Sequence, residues 1–348
     1  LSFVTFTSTI NAQRNEEEML MSQSRPSETA NEQDAAPVLA ATNDPALKRI
    51  LERIDTLGLT SNLLELKLQG YTIVKSVLSQ DRINRAKAAI LRRVESTVHK
   101  SIDPDTATND DFNGMSYQHY LLFDDAVFPE ILLEPKPLAL IDYLLGESCV
   151  LSSMGSHFRG PGGMPLGIHA DGQTDGFLTD AAPIANCNYA LTPYSQEQGA
   201  LVIFPGSHLK KRQPTLHENW KTGDETLMDI MGKKLSPSEL DEVNWELPRG
   251  AVTVEIAPGD AVIWHGNTWH GGWRRDVPGT RINLAAYFCR PFMSTQERRG
   301  DDRYPEVFAR YADDLTFAKL LGEKTFNGWR EEGPDLTGKK TSPRGLYD

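Results

Sequence analysis

Two histidines and one aspartate in this chain are spaced so that they could hold a single metal ion. His169 and Asp171 lie two residues apart in the run GIHADG, and His270 follows far downstream. On an extended segment, side chains at positions i and i+2 point to the same face and can reach one ion. Two imidazoles and one carboxylate, with coordination positions left open, are the ligand set of non-haem iron(II) oxygenases.

His265 is the main competitor of His270 for the role of distal ligand. The apolar run Ala261–Trp264 leads into His265, and Gly266-Asn267 then marks a turn before His270. His270 is therefore predicted to begin a new strand, whereas His265 ends the preceding one. We interpret His265 as a buried, hydrogen-bonded structural histidine and His270 as the ligand.

Further motifs accompany these residues along most of the chain. The glycine-rich segment Gln198–His208 ends in Pro-Gly-Ser-His, the distal histidine lies in Trp-His-Gly-Gly with Arg281 after it, and Gly70–Val74 precedes a helical pattern. In this order, the motifs resemble those of the phytanoyl-CoA dioxygenase family of Fe(II)- and 2-oxoglutarate-dependent oxygenases. The resemblance extends from about Leu47 to about Gly322.

The resemblance implies a role for four residues. His169, Asp171 and His270 correspond to the ligands of Fe(II). Arg281 corresponds to the partner of the distal carboxylate of 2-oxoglutarate, the cosubstrate that is used together with O2. Arginine suits this role because its planar guanidinium makes two parallel, charge-assisted hydrogen bonds to a carboxylate.

One position departs from the family pattern. Many members carry a threonine that helps to hold the cosubstrate, and Leu201 stands at that position here. The missing contact could come from Gln118 or from Asn283. A second comparison concerns halogenation, since related halogenases have a small residue where this chain has Asp171, and that carboxylate would occupy the position of the halide. Halogenation is therefore disfavoured.

The implied reaction is oxidation of a substrate C–H bond, with hydroxylation as the default outcome and release of succinate and CO2. Desaturation, ring closure and epimerisation start from the same oxidant, and no residue in the sequence excludes them. The sequence has no clear basic cluster for the phosphates of coenzyme A, which favours a small metabolite or a natural-product intermediate of secondary metabolism. Two alternatives stay open, namely a non-oxidative, isomerase-like metal enzyme with a jelly roll and a catalytically inactive binding protein of the same fold.

Composition excludes several classes of partner. The formal net charge of −12 disfavours a nucleic-acid ligand, because binding of phosphates needs concentrated lysine and arginine. The sequence contains no run of 18 apolar residues, so it predicts no membrane span. The three cysteines have no metal-type spacing and suit a reducing compartment, so we expect a cytoplasmic protein. The sequence leaves the oligomeric state open.

The pattern of the chain predicts a single domain after a tail. Residues 1–42 are too poor in apolar side chains to pack and are predicted to be disordered or poorly packed. Residues 43–348 are predicted to form one oxygenase domain, with a helical part over 43–147, a core over 148–292 and a C-terminal helix over 304–321. Short strands punctuated by Gly, Pro, Asn and Asp predict that the core is mainly β.

The strand pattern favours an antiparallel barrel or a jelly roll, and the expected fold is a double-stranded β-helix, the jelly roll of cupin-like proteins, flanked by helices. The ligands would then lie at one mouth of this barrel. The segment 209–250 interrupts the core as a long, charged insertion that is rich in Pro and Gly. Insertions of this length are often lids or binding loops, and we expect this one to select the substrate. The candidate strands are Val150-Leu151, Ala200–Phe204, Ala251–Ile256, Ala261–Trp264 and Ile282–Phe288.

Overall fold

The computed structural model describes most of the chain after the predicted tail, and the prediction for residues 1–42 lies outside the described residues. Within the described part, no helix is both long enough and apolar enough to cross a membrane. The described residues are 45–112, 116–171, 179, 181–298, 305–323, 329–330 and 333–334.

The described helices lie in three parts of the chain: before β3 (Val150–Phe158) in the N-terminal part, within the insertion 209–250, and after the last strand of the larger sheets. The first and third helices are amphipathic; in α1, for example, Ala46, Ile50 and Ile54 recur on one face and are fully or almost fully buried. The helices are α1 (Pro45–Thr56), α2 (Thr60–Gln69), α3 (Gln80–Val98), α4 (Val127–Leu132), α5 (Pro135–Leu145), α6 (Leu227–Gly232), α7 (Pro237–Asp241), α8 (Pro305–Arg310) and α9 (Leu315–Leu320).

The strands of the described part form two larger antiparallel sheets and two short hairpin pairs. In chain order they are β1 (Tyr71–Val74), β2 (Ser116–Gln118), β3 (Val150–Phe158), β4 (Leu166–His169), β5 (Ile184–Ala190), β6 (Leu201–Ile203), β7 (Lys221–Thr222), β8 (Glu225–Thr226), β9 (Val252–Thr253), β10 (Ala261–His265), β11 (His270–Gly272), β12 (Asn283–Cys289), β13 (Trp329–Arg330) and β14 (Gly333–Pro334). The larger sheets have the orders β1-β10-β5-β12-β3-β2 and β4-β11-β6-β9.

The six-stranded sheet has one apolar face and one polar face. Along β12, Leu284, Ala286 and Phe288 join the main apolar core with the helices, while the alternate residues Asn283 and Tyr287 line a cavity. This alternation follows from the period of two in a strand. The polar face of the six-stranded sheet therefore supplies one wall of a site, and the four-stranded sheet supplies the other.

The jelly-roll core with flanking helices is confirmed, and of the two alternatives the described strands form open sheets and no barrel. Each sheet keeps two edge strands, β1 and β2 in the larger sheet and β4 and β9 in the smaller. The segment 251–256, predicted as a full strand, pairs as a strand only at Val252–Thr253. Beyond this pair, the N–H of Val254 donates to the carbonyl of Leu201 at 2.8 Å, and Ile256 forms an isolated bridge with Tyr194.

The C-terminal helix predicted over residues 304–321 is two helices in the described part, α8 and α9. Asp314 causes the break, because its carboxylate accepts hydrogen bonds of 2.9 Å from the backbone N–H groups of Thr316 and Phe317. An aspartate in this position caps a new helix instead of continuing the old one.

Helix α9 is attached to α5 through a buried ion pair. Lys319 donates to Asp142 at 3.1 Å, and their exposed fractions are 5% and 2%. Arg53 of α1 contacts the other oxygen of Asp142 at 2.5 Å, but its side chain is 40% exposed. The ammonium group of Lys319 therefore depends on Asp142 for compensation of its charge.

We expect Asp142→Ala to lower the free energy of unfolding by about 3 to 5 kcal/mol, because it leaves the Lys319 charge buried without its partner. Arg53→Ala removes a half-exposed charge from the same cluster and should cost about 1 kcal/mol or less. Urea denaturation of both variants measures the difference. Equal losses in the two variants would contradict the role given to Lys319.

Candidate active site

The two predicted histidine ligands face each other across adjacent strands. His169 ends β4, His270 begins β11, and the two are paired in the register of the smaller sheet. Asp171 lies in the turn that follows β4. Its carboxylate oxygens are 3.3 Å from Nε2 of His169 and 3.2 Å from Nε2 of His270. One donor atom from each residue lies within 4.8 Å of the others, so the three can share one ion.

Hydrogen bonds to the backbone orient both imidazole rings. Nδ1 of His169 lies 2.8 Å from the carbonyl oxygen of Gly167, and Nδ1 of His270 lies 3.0 Å from that of Thr268. When Nδ1 carries the proton for such a bond, Nε2 is left as the basic nitrogen. Both basic nitrogens then lie beside the carboxylate of Asp171, so that all three groups can bind the same metal ion.

The electrostatics of the site suit metal ligation. Burial would raise the pKa of Asp171, but His270 and His169 outweigh it and hold this pKa below its usual range. Burial lowers the pKa of His270, which keeps the imidazole neutral at neutral pH. Burial also opposes protonation of His169, but its contacts with Asp171 raise the pKa. An anionic carboxylate beside a neutral imidazole is the protonation state that binds a divalent metal.

Two polar residues of the six-stranded sheet support the carboxylate. Asn186 of β5 donates from Nδ2 to an oxygen of Asp171 at 2.8 Å. Tyr287 of β12 also interacts with Asp171 and helps to hold the pKa of this carboxylate low. Asp171 lies beyond the end of its strand, so these contacts replace the orientation that a strand would give.

The strand β4 is also held from outside, by amide side chains of the insertion 209–250. Gln213 accepts from the N–H of Ala170 at 2.9 Å and donates to its carbonyl at 2.8 Å. Asn219 makes the same pair of bonds with Ile168, at 3.0 and 3.1 Å. Since β4 is an edge strand, these amides take the place of a neighbouring strand. Ala170 lies between His169 and Asp171, so Gln213 fixes the backbone that joins two ligands.

We expect Gln213→Ala to weaken metal binding by roughly 10- to 100-fold, as is typical when groups that orient the ligands are removed. The matched control is Gln80→Ala, which removes an exposed glutamine of α3. Titration of both variants with Co(II) measures the affinity, and circular dichroism checks the fold. An affinity of Gln213→Ala equal to that of the control would show that the insertion does not position the ligands.

The described part of the insertion packs on the outer face of the four-stranded sheet. Trp220 and Trp245 join an apolar cluster there with Trp269 and Trp273. None of the described residues that line the cavity comes from the segment 209–250. The contacts of this segment thus stabilise β4. Its role as a lid stays a prediction.

A cavity of about 150 Å³ extends from the histidines between the two sheets. Arg281 lines it with an exposed fraction of 9%, donates from Nη1 to the carbonyl of Gly199, and lies 5.6 Å from the ring of Tyr194. Leu201, the position that departs from the family pattern, also lines the cavity. The lining residues are His157, Arg159, Leu166, His169, Asn188, Tyr194, Leu201, Trp264, His270, Gly271, Gly272, Arg281, Asn283, Ala285 and Tyr287.

The two further cosubstrate candidates lie in different places. Asn283 lines the cavity, but its oxygen accepts from the N–H of His157 at 2.7 Å and its nitrogen donates to Asn188 at 2.8 Å. These bonds occupy much of its capacity. Gln118 is buried on β2 opposite Ser156 and is not among the described lining residues. Both assignments stay predictions.

His265 lies outside the cluster of donor atoms. Its Nδ1 accepts from the backbone N–H of Asn267 at 3.0 Å, and its ring packs at 5.4 Å from that of His208. The preceding residue of β10, Trp264, points into the cavity, so the alternation of the strand turns His265 away from it. This environment is that of a structural histidine.

Sequence reasoning missed several residues of the site, among them Arg159, His157, Asn186 and Tyr287. His157 lies in β3, which continues to Phe158 instead of ending after Val150-Leu151, and Arg159 directly follows this strand. Their alternation with the apolar Phe158 was the available signal. Asn186 and Tyr287 gave no local signal, because their contact with Asp171 depends on the pairing of distant strands.

Comparisons with known proteins place the chain in a family. The dioxygenase af480 of Aspergillus fumigatus is 28% identical over 262 residues, which cover 72% of this chain and 72% of that protein. The chain also aligns with two solved structures at low similarity. One is the epimerase SnoN from nogalamycin biosynthesis in complex with Fe3+, alpha ketoglutarate and nogalamycin RO, with a TM-score of 0.46, 20% identity and coverage of 81% of this chain and 97% of that one.

The second solved structure is HygX from Streptomyces hygroscopicus with nickel and 2-oxoglutarate bound, with a TM-score of 0.47, 15% identity and coverage of 70% of this chain and 90% of that one. The profile of the phytanoyl-CoA dioxygenase (PhyH) family matches residues 66–281. This match contains the three metal-binding candidates and ends at Arg281. The chain therefore belongs to the phytanoyl-CoA dioxygenase family.

Proposed function

We propose that the protein is an Fe(II)- and 2-oxoglutarate-dependent dioxygenase. It would oxidise an unactivated C–H bond of a small metabolite or natural-product intermediate, with release of succinate and CO2. Hydroxylation is the default outcome. The observation that carries the proposal is one cavity that is lined by His169 and His270, which cluster with Asp171, and by a buried arginine, Arg281.

The donor set fits the metal. His169, Asp171 and His270 offer two nitrogens and one carboxylate, which suit Fe(II) and leave coordination positions for a cosubstrate and O2. When bound, iron together with 2-oxoglutarate and O2 supplies the oxidant that removes hydrogen from the substrate. A fully closed set of protein ligands would have argued for a structural metal instead.

Other residues of the site would bind the cosubstrate, orient Asp171 and exclude water. Arg281 carries the charge that would hold the distal carboxylate of the cosubstrate, and Asn186 and Tyr287 keep Asp171 oriented. Trp264, Leu201 and Ala285 give the cavity apolar walls that exclude water from the reacting atoms.

The decisive experiment loads the anaerobically purified protein with Fe(II) and adds 2-oxoglutarate. We expect about one iron per chain, a visible charge-transfer band when the 2-oxo acid chelates it, and succinate formation on exposure to O2. A library of small metabolites and natural products, screened by succinate release and product mass, then identifies the substrate. Iron binding without any response to 2-oxoglutarate would contradict the proposal and favour non-oxidative chemistry.

The insertion 209–250 is proposed to close over the substrate. Its exposed apolar side chains Leu216, Met228 and Met231 are more than half exposed and could be covered on closure. Hydrogen exchange in the insertion should slow when substrate is added to the metal-loaded protein. Exchange as slow as that of β5 and β12 before any ligand is added would contradict a lid.

A further inference from the structure

A second arginine lies directly opposite Arg281 in the cavity wall. The backbone N–H of Arg159 donates to the carbonyl of Arg281 at 3.1 Å, and the N–H of Arg281 donates to the carbonyl of Arg159 at 2.8 Å. Residues that exchange both hydrogen bonds in an antiparallel pair project their side chains to the same face. Both side chains line the cavity, with exposed fractions of 6% and 9%.

No described residue that lines the cavity supplies a counter-ion for this pair of charges. The described lining residues include no carboxylate, and neither arginine forms an ion pair with a described residue. Like charges directly opposite each other in a sheet destabilise it, and burial increases the cost. Burial, with a contribution from Arg281, lowers the pKa of Arg159 to about 10. A bound anion would remove this cost.

The guanidinium groups are held in place but keep unused donors. Arg159 donates from Nη2 to the carbonyl of Met164, and Arg281 donates from Nη1 to the carbonyl of Gly199. Nε of Arg281 is buried and has no hydrogen-bond partner among the described residues. An arginine that uses one N–H group on the backbone is oriented, and its remaining N–H groups are available to a carboxylate.

We propose that Arg159 and Arg281 together hold one carboxylate, the distal carboxylate of 2-oxoglutarate. This inference rests on the proposed function and adds Arg159 as a cosubstrate-binding residue. The direct opposition of the two residues favours a shared anion over two separate ones, because their side chains start from neighbouring positions on one face. Two arginines on this carboxylate make the site select 2-oxo acids that carry a second negative charge.

The test measures binding by calorimetry, on protein loaded with Fe(II) under anaerobic conditions. Arg159→Met should weaken 2-oxoglutarate by about tenfold or more, as expected for loss of a buried charge-assisted contact. It should leave the affinity for 2-oxopentanoate unchanged, because that acid has the same chain without the distal carboxylate. The control is Arg274→Met, which removes a nearby arginine that pairs with Asp276 and does not line the cavity.

A conservative variant keeps the test decisive if Arg159→Met does not fold. Arg159→Lys retains the charge but lacks the planar fork, so it should weaken 2-oxoglutarate by a smaller factor and again spare 2-oxopentanoate. Unchanged affinity for 2-oxoglutarate, or equal losses for both acids, would overturn the shared carboxylate. A wild-type protein that binds iron but neither binds 2-oxoglutarate nor forms succinate would instead contradict the proposed function.

Discussion

His270→Ala is expected to abolish stoichiometric binding of Fe(II) and, with it, the charge-transfer band produced by 2-oxoglutarate. The imidazole of His270 is almost fully buried, and its Nε2 points at the carboxylate of Asp171. Alanine removes one of three protein ligands and leaves a buried carboxylate facing one imidazole. Iron content and the visible spectrum, both recorded anaerobically, measure the effect.

His265→Ala is the matched control, since His265 lies five positions earlier and is equally well buried. Its ring bonds the backbone of Asn267, so the variant can lose stability but should retain iron and the band. The reverse result, with iron lost only in His265→Ala, would overturn the choice of distal ligand.

Arg281→Ala should leave iron binding nearly intact and weaken 2-oxoglutarate by about thirtyfold or more. A charge-assisted pair that is largely desolvated is worth on the order of 2 to 5 kcal/mol, and a few kcal/mol correspond to a change of this size. Arg281→Lys should recover part of the loss, because an ammonium group lacks the two-pronged geometry of the guanidinium.

The measurement is succinate formation against the concentration of 2-oxoglutarate for wild type and both variants. Iron content is determined in each sample, so that loss of metal is not mistaken for loss of cosubstrate. Half-saturation that is unchanged in Arg281→Ala, with iron retained, would remove the main ground for a 2-oxoglutarate enzyme and favour the isomerase-like alternative.

The clustering of His169, Asp171 and His270 could be predicted from the sequence because its signals are local. His169 and Asp171 belong to one short run, and a turn at Gly266 separates the strand of His265 from that of His270. The jelly roll followed from the alternation and punctuation of the strands. Such patterns predict the local structure of the segment that contains each residue, and for these residues the local structure was sufficient.

Arg159 could not be found in this way, because it becomes a binding-site residue only through its pairing with Arg281. The register of β12 against β3 contains an irregularity between Tyr287 and Phe288, and no sequence pattern gave its position. The extent of the strand predicted at 251–256 was wrong for a related reason. The segment is apolar enough for a full strand, but it forms regular strand pairing only at Val252–Thr253 and single contacts beyond, from Val254 to Leu201 and from Ile256 to Tyr194. Strand pairing is decided by partners that are distant in the chain.

The amide contacts of Gln213 and Asn219 with β4 join the folding of the insertion to occupancy of the metal site. Any equilibrium in which the insertion opens also releases the backbone between His169 and Asp171. By linkage, a metal that binds the closed form more tightly must stabilise the insertion by the same free energy. Proteolysis within residues 209–250 should therefore slow as metal is added, even though no described residue of this segment lines the cavity.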